Sequence, residues 1–466
     1  TTIIDAGGNR SALSLDHQNG EYSGYSVAAT KFIGLTFTNG DDDKSLIDIS
    51  GPNPNNSNNS WDITFENCRF TNTTNDYGDS HSVVYVGRSS SVFDGCQFRN
   101  LNIRGNFSSG TNLYAPIKIE GETSSYFTGS TWQPDTSVFR PQFKNCVIAD
   151  NSVVNTASSG RDHYEYFFGG GITVLQGTAP YFENTRIDSN TADAGGNYIS
   201  YYYSQVQGGG IYLQGRYEND PPIKFVNCSI SNNVVKGTYA YGGGVYTSYA
   251  QTQFINTVIT NNLAFGAYSS TGNDYVMTRG GGIYCYPNST NNNENPNYSS
   301  GDPLTLLVNC TVANNKLKYI TASSINWSGA GILREQYNDP VQIMNSIIYH
   351  NTVVGEESSS GAYYKMNLSY GEYSWGTEES TIGYSFIEHA DDAGVDGDDV
   401  YEYLPAFSDT ANGDFSLSIA SLAIGAGVSE YEDIDAPAYD YNNSARPNPA
   451  GSNPDLGAYE NSLAAT

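Results

Sequence analysis

Residues 208–233 read GGGIYLQGRYENDPPIKFVNCSISNN, and this unit returns several times along the chain of 466 residues. It joins a Gly-Gly-Gly-apolar start, a variable loop, a Phe-x-Asn-Cys-x-apolar segment and a further Asn. Runs of alternating character such as Ile223–Val226 are typical of half-buried β-strands. A unit this small cannot bury its apolar face alone, so its copies are expected to stack.

The repeats recur in a constant order. The Gly-rich start returns every 34 to 49 residues, at Gly169, Gly208, Gly242, Gly280 and Gly329. The Asn-Cys segment returns at Asn67, Asn145, Asn227 and Asn309, with Gly95 in a variant copy and a hydroxyl residue replacing Cys at Thr185, Thr257 and Ser346. This pattern predicts an all-β fold, a right-handed parallel β-helix, with coils and inserted loops over 1–380. Residues 381–466 are predicted to form terminal coils and a C-terminal cap. An antiparallel sandwich is the alternative, but it does not explain a recurring three-part unit.

Parallel stacking places like residues above like. Asn at one corner is therefore expected to form a ladder of side-chain amides, and Gly at another corner to allow a positive φ and a close approach of coils. Five cysteines share one slot and are predicted to be small buried side chains: Cys68, Cys96, Cys146, Cys228 and Cys310. A disulfide between adjacent coils stays open, and Cys285 is assigned to a second core position.

The charge balance is strongly acidic, with 49 Asp and Glu against 21 Lys and Arg and a formal net charge of -28. Such a surface repels phosphate backbones and anionic lipids, which argues against nucleic acid and acidic membranes as partners. No apolar run is long enough to span a bilayer, and no signal peptide is present. The chain is therefore either cytosolic or already processed, and the repeats favour a processed, extracellular protein.

Tyrosines concentrate in the inserted loops, which a stack of coils would place on one flank. Because Tyr offers rigid contact area with a polar tip, this flank is a candidate recognition surface. Packing of the loops on each other is the alternative. The candidate ligand-binding residues are Tyr164, Tyr166, Tyr201, Tyr202, Tyr203, Tyr241, Tyr268 and Tyr275.

An acidic run follows the last clear repeat. Its carboxylates, Asp391, Asp392, Asp396, Asp398 and Asp399, are candidate ligands for Ca²⁺ because calcium prefers oxygen donors. The run does not match the EF-hand pattern, so an ordinary strand entry is the alternative. No other cofactor is predicted.

The C-terminal sequence carries a family resemblance. Residues 412–417 (NGDFSL), 421–427 (SLAIGAG) and 446–460, which begin RP and end PDLGAYE, resemble the terminal signature of secreted right-handed parallel β-helix proteins of Bacteroidota. Leu422 departs from the usual Pro of that signature. The resemblance implies a secreted or cell-surface protein, often exported by the type IX secretion system with a sorting domain removed.

The first residues also resemble such proteins. Thr2–Asn9 looks like a coil that is normally internal, so either further coils precede it or another molecule covers that end. The second option predicts head-to-tail filaments of this chain.

No catalytic residue is assigned, because no set of carboxylates recurs in register and the five histidines share no slot. The leading hypothesis is an extracellular structural or adhesive β-helix that forms filaments or binds glycans or outer-membrane proteins. One alternative is a polysaccharide lyase or glycoside hydrolase of the β-helix class. Another is an exported cargo or accessory subunit of an outer-membrane complex.

Overall fold

The chain folds as a parallel β-helix, which confirms the predicted fold class. The computed structural model describes residues 2–8, 11–16, 30–40, 44–51, 63–76, 82–105, 112–121, 126–127, 132–133, 138–156, 165–195, 204–215, 221–267, 275–286, 305–319, 324–334, 341–354, 367–370, 381–390 and 397–463. Its main strands form sheets of 27, ten and six strands, and neighbours within each of them run parallel.

The 27-stranded sheet consists of three rows of strands, named A1, A2 and A3 in the order that the chain visits them. Row A1 contains β3 (Thr30–Ile33), β6 (Ile63–Glu66), β9 (Val92–Asp94), β15 (Gln142–Lys144), β20 (Tyr181–Glu183), β25 (Ile223–Val226), β30 (Thr252–Ile255), β35 (Thr305–Val308), β40 (Val341–Met344) and the start of β44 (Thr381–Ile387). Row A2 contains β1 (Thr2–Asp5), β4 (Leu35–Thr38), the first parts of β7 (Arg69–Asn75) and β10 (Gln97–Gly105), β16 (Val147–Ala149), β21 (Arg186–Asp188), β26 (Ser229–Ser231), β31 (Val258–Thr260), β36 (Thr311–Ala313), β41 (Ile347–Tyr349) and the end of β44. Row A3 contains the ends of β7 and β10, then β17 (Ser152–Asn155), β22 (Thr191–Asp193), β27 (Val234–Gly237), β32 (Leu263–Gly266), β37 (Lys316–Tyr319) and β42 (Thr352–Val354).

The other two large sheets complete each coil. The six-stranded sheet C contains β11 (Asn112–Tyr114), β18 (Glu165–Phe168), β23 (Ser204–Gln207), β28 (Tyr239–Tyr241), β33 (Tyr275–Arg279) and β38 (Ser324–Ser328). The ten-stranded sheet B contains β2 (Leu13–Asp16), β5 (Ile47–Ser50), β8 (Val84–Gly87), β12 (Ile117–Glu120), β19 (Ile172–Val174), β24 (Ile211–Gln214), β29 (Val245–Ser248), β34 (Ile283–Tyr286), β39 (Ile332–Arg334) and β43 (Leu368–Tyr370). From β11 onward, a full coil visits C, B, A1, A2 and A3 in turn.

The remaining elements are short. β13 (Tyr126–Phe127) pairs with β14 (Trp132–Gln133) in an antiparallel ladder. Near the C-terminus, β45 (Asp398–Tyr401) extends the 27-stranded sheet, and two antiparallel pairs follow it. They are β46 (Phe407–Asp409) with β47 (Asp414–Leu417), and β48 (Glu430–Tyr431) with β49 (Ile434–Asp435), and one 3₁₀ turn spans Thr410–Asn412.

Each turn between rows of the 27-stranded sheet uses one left-handed residue. Between A1 and A2 this residue is an Asn in most coils, as at Asn145 (φ 52°) and Asn227 (φ 52°), and Gly34, Gly95 and Tyr384 take its place in the others. Between A2 and A3 it is the residue before the next Asn, as at Ser189 (φ 57°) and Asn232 (φ 57°). Asn is among the few residues that tolerate this conformation, which explains why both corners are rich in it.

A buried ladder of asparagine side chains runs along the A2–A3 corner, as the repeat predicts. Its members are Asn151, Asn190, Asn233, Asn262, Asn315 and Asn351. Asn367, which precedes β43 of sheet B, continues the ladder by accepting from Asn351. Each Nδ2 from Asn151 to Asn351 donates to Oδ1 of the next member at 2.8–3.0 Å and also to a carbonyl of the preceding coil, as Asn233 does to Ile187. Glu388 ends the ladder by accepting from Asn367. From Asn151 to Asn351, both N–H groups and the oxygen of each side-chain amide therefore have protein partners.

The core inside the coils is apolar and ordered by the same register. Along row A1, Phe32, Phe65, Phe93, Phe143, Phe182, Phe225 and Phe254 stack with centroids 4.7–5.1 Å apart.

The cysteine column lies beside the Phe stack. All six cysteines are buried and free, so no disulfide joins the coils. Because the Cys96 thiol donates a hydrogen bond to the sulfur of Cys146 and is buried, the pKa of Cys96 is raised to about 12.

The Gly-rich corner between sheets C and B requires glycine for two reasons. Gly208 has a φ of 73°, which disfavours a side chain. A Cβ on Gly209 would lie 2.2 Å from the carbonyl oxygen of Gly243 in the next coil. This corner therefore turns and packs closely as predicted.

After β45 the chain stops adding coils, and the C-terminal tail (402–463) packs against the outside of rows A1 and A2. There the outward side chains become apolar, as with Leu306, Val308 and Met344. Three left-handed asparagines bind the backbone of the tail, which lies laterally against the coils: Asn256 Nδ2 donates to Tyr439 O (2.6 Å), Asn309 Nδ2 to Asp455 O (3.0 Å) and Asn345 Nδ2 to Val428 O (2.7 Å).

A buried ionic group holds the tail together. Arg446 Nε lies 3.1 Å from Glu460 Oε2, and both side chains are fully buried. Asp455 accepts from the backbone of Gly425 and Asn461. Burial raises the pKa of Asp455 to about 6 and that of Glu460 to about 7. The terminal signature is therefore a structural element that closes the tail on itself.

Replacing Asn233 by alanine is expected to reduce the free energy of unfolding by about 2–4 kcal/mol, because neighbouring amides lose buried partners. Chemical denaturation measures this loss. Asn453→Ala, at an exposed position of the tail, is the control and should change stability by less than about 0.5 kcal/mol. Equal stability of the two variants would contradict the ladder's role.

Lowering the pH from about 7.5 to about 5.5 is expected to stabilise the fold. The raised pKa values of Asp455 and Glu460 mean that the folded chain keeps protons that the unfolded chain has released. This stabilisation is complete near pH 4, the unfolded value, and is lost as the pH rises through about 6 and about 7. Thermal unfolding across this range should show a weaker pH dependence for Glu460→Gln than for the exposed control Glu430→Gln. Parallel profiles would refute this assignment.

Candidate functional site

The structure describes only part of the predicted tyrosine surface. Tyr164, Tyr201, Tyr202, Tyr203 and Tyr268 lie outside the described residues. Tyr166 lies in β18, is 36% exposed and stacks on Phe168 with centroids 6.2 Å apart. Tyr275 begins β33.

Tyr241 packs inside a second apolar cluster between the outer faces of sheets B and C. Its ring stacks on Tyr284 (5.1 Å), and its hydroxyl donates to Met277 Sδ (2.9 Å). Tyr246 and Tyr212 continue the column at 5.1–5.2 Å. Tyr212, Tyr246 and Tyr284, the three outward tyrosines of sheet B in this column, are at most 5% exposed, so they serve as packing groups along the corner.

The acidic run is also partly described. Asp391, Asp392 and Asp396 lie outside the described residues, whereas Asp398 and Asp399 begin β45. Asp398 accepts from the Tyr431 hydroxyl (3.2 Å), and Asp399 accepts from Tyr401 (2.7 Å). Among the described residues, no three His, Cys, Asp or Glu side chains are grouped to hold a metal ion. Calcium binding stays a prediction.

A cluster of ionisable side chains that the sequence analysis missed lies on the outer face of sheet B. Lys118 is 8% exposed, and its Nζ lies 2.8 Å from Glu120 Oε2. The ammonium also lies 4.3 Å from the centroid of the Tyr114 ring and 5.7 Å from that of Tyr85. The Tyr85 hydroxyl donates to the same Glu120 oxygen at 3.3 Å.

Register builds this cluster from consecutive coils. Asp48, Tyr85 and Lys118 occupy one outward slot of β5, β8 and β12. Gly87 leaves room for the Tyr85 ring, because a Cβ there would lie 2.6 Å from its hydroxyl oxygen. Aligning these three strands in the sequence would have revealed the column, but their copies lack the Gly-Gly-Gly start that marks the later coils.

The chemistry of the cluster follows from burial and charge. Burial and then the charge of Glu120 raise the pKa of Tyr85, so its hydroxyl keeps its proton at neutral pH. Lys118 supplies a positive charge between two rings, where cation–π attraction adds to the ion pair. The arrangement places a hydroxyl donor at Tyr85, a carboxylate acceptor at Glu120 and an ammonium group at Lys118 close together, and groups of these types hydrogen-bond hydroxyl-rich ligands.

Comparison with known protein families and with curated protein sequences finds no match. The class that the fold and site define is thus a parallel β-helix protein with an aromatic and ionic column on its outer faces. In the described part of the chain, no helix is long and apolar enough to cross a membrane.

Replacing Lys118 by alanine is expected to lower the free energy of unfolding by about 2 kcal/mol, because a desolvated cation–π contact and a packed aliphatic stem are lost. Lys316→Ala, on an exposed position of β37, is the matched control. Denaturant titration compares the two, and a Lys118 variant as stable as the control would contradict the packing described.

Proposed function

We propose that this protein is a secreted or cell-surface β-helix that works as a rigid scaffold, presenting Tyr-rich loops to surface glycans. The observation that carries the proposal is the separation of a constant frame from variable insertions. Strand register is kept from coil to coil, while chain segments of very different length leave at the same two places.

One place lies between row A3 and sheet C, where segments such as 156–164, 194–203 and 267–274 connect the strands. The other lies between sheet B and row A1, with segments such as 215–222 and 287–304. Loops on a rigid frame are the usual carriers of recognition, because the frame fixes their position and tolerates their change. The tyrosines in these segments supply contact area of the type that binds sugars.

The terminal signature around Arg446 and Glu460 supports export from a bacterium of the Bacteroidota type, and we include type IX secretion in the proposal. Adhesion is the role that a glycan-binding scaffold would perform at a cell surface. Binding of Ca²⁺ at Asp391–Asp399, binding of outer-membrane proteins and head-to-tail assembly into filaments remain predictions.

A glycan array tests the proposal. The wild-type chain is expected to bind a subset of glycans, and a variant with Tyr201, Tyr202 and Tyr203 replaced by serine should lose that signal with an unchanged melting temperature. Phe107→Ser is the control, since residue 107 lies in the equivalent connection before β11, which has no tyrosine. Failure of the wild type to bind any glycan, or undiminished binding by the triple variant, would refute the proposal.

A second candidate function is cleavage of a polysaccharide, favoured by the Asp48–Tyr85–Lys118 column beside Glu120. Donor, acceptor and cation lie together on consecutive coils, as a general acid–base site on this fold requires. Release of reducing ends or unsaturated products from a polysaccharide panel would show it. That activity should disappear in Tyr85→Phe and persist in the control Tyr439→Phe.

A further inference from the structure

A shallow trough with a volume of about 390 Å³ crosses row A2 in the N-terminal coils. Its walls include Ile3, Thr36, Arg69, Thr71, Gln97 and Arg99. The alternating burial of β7 and β10 turns these polar side chains outward, whereas Phe70 and Phe98 point into the core. No carboxylate lines the trough among the described residues, although the chain has more than twice as many acidic as basic residues.

Register places the donors of the trough in two short columns. Thr36, Arg69 and Gln97 share one slot, and Thr71 and Arg99 share the slot two residues later. Thr38 and Asp5 precede Thr71 in that second slot but do not line the trough. Adjacent coils are about 4.8 Å apart, so each column offers side chains at the spacing of neighbouring strands. A ligand lying across these coils meets guanidinium, amide and hydroxyl groups in succession.

Arg69 differs from the arginine that occupies its own slot farther along the rod. Arg186 aligns with Arg69 through Gln97 and Val147, and it forms an ion pair with Asp188, two residues later. The equivalent position after Arg69 is Thr71, which carries no charge. In the described part of the chain, Arg69 has no carboxylate partner, whereas Arg99 pairs with Asp150.

We infer that this trough binds the carboxylate or sulfate groups of an acidic saccharide. The exposed guanidinium of Arg69, which has no carboxylate partner among the described residues, supplies the charge, and charge-assisted hydrogen bonds to such groups are the strong ones. Gln97, Asn100 and the two threonines offer partners for sugar hydroxyls, and Ile3 offers apolar contact. The volume falls within the range of about 300–1,000 Å³ that small-molecule sites occupy. The trough includes none of the Tyr-rich loops, so the test of this site is independent of the test of glycan binding by those loops.

Three dextrans with one backbone test this inference: dextran sulfate, carboxymethyl dextran and unmodified dextran. Biolayer interferometry with the full chain at low ionic strength is expected to show binding to at least one anionic dextran and none to the neutral one. The responding polymer tells sulfate from carboxylate. Arg69→Gln should weaken binding about tenfold or more. Arg186→Gln, in the same slot of a later coil, should change it less than about twofold.

A second variant adds a negative charge to the trough instead of removing a positive one. Thr71→Asp places a carboxylate where Asp188 stands relative to Arg186, and it should neutralise Arg69 and abolish binding with an unchanged melting temperature. Equal weakening by Arg69→Gln and Arg186→Gln would mean non-specific attraction and would overturn the inference. So would binding of no anionic dextran by the wild type, or full binding by Thr71→Asp.

Discussion

The Asn ladder at the A2–A3 corner is the interaction on which the coil stack depends. From Asn151 onward, each amide satisfies backbone groups of the preceding coil and a side chain of the next, so an Asn is needed at the same height in each of these coils. The earlier coils carry Thr73 and Leu101 in this slot and join the ladder through the backbone N–H of Leu101, which donates to Asn151. The left-handed residues before the ladder and the Phe stack inside the coils obey the same constraint. Chemistry specific to one coil is therefore restricted to outward slots and to the insertions between strands.

The sequence alone predicts the frame well because the frame repeats. The Asn ladder, the Gly corner and the cysteine column all follow from residues that return in one order, and the structure confirms each of them. The first coils were harder, since they lack the Gly-Gly-Gly start and the column of Asp48, Tyr85 and Lys118 has no copy elsewhere. A site made of single occurrences leaves no periodic signal; it becomes visible only when the register between coils is known.

The position of the C-terminal tail in the fold is harder to predict from the sequence than its presence. The sequence predicts terminal coils and a cap for residues 381–466, and β44 and β45 do extend the stack. The rest lies along the side of earlier coils, where Asn256, Asn309 and Asn345 bind its backbone. The sequence holds the signal for this in the loss of alternation at Leu306–Val308 and Ile347–Tyr349, where outward positions become apolar. That signal indicates that this face of the coils is covered, but it does not identify the tail as the segment that covers it.

The lateral docking of the tail also fixes an order of events during folding. Asn256 and Tyr439 are 183 residues apart in the sequence, and Asn309 and Asp455 are 146 apart. Contacts inside the stack join neighbouring coils and can form while the chain is still being made, but the tail has no surface to bind until several coils exist. The apolar strip at Leu306, Val308 and Met344 therefore stays open to solvent until the last part of the chain arrives. In this interval the nascent rod is most exposed to association with other chains.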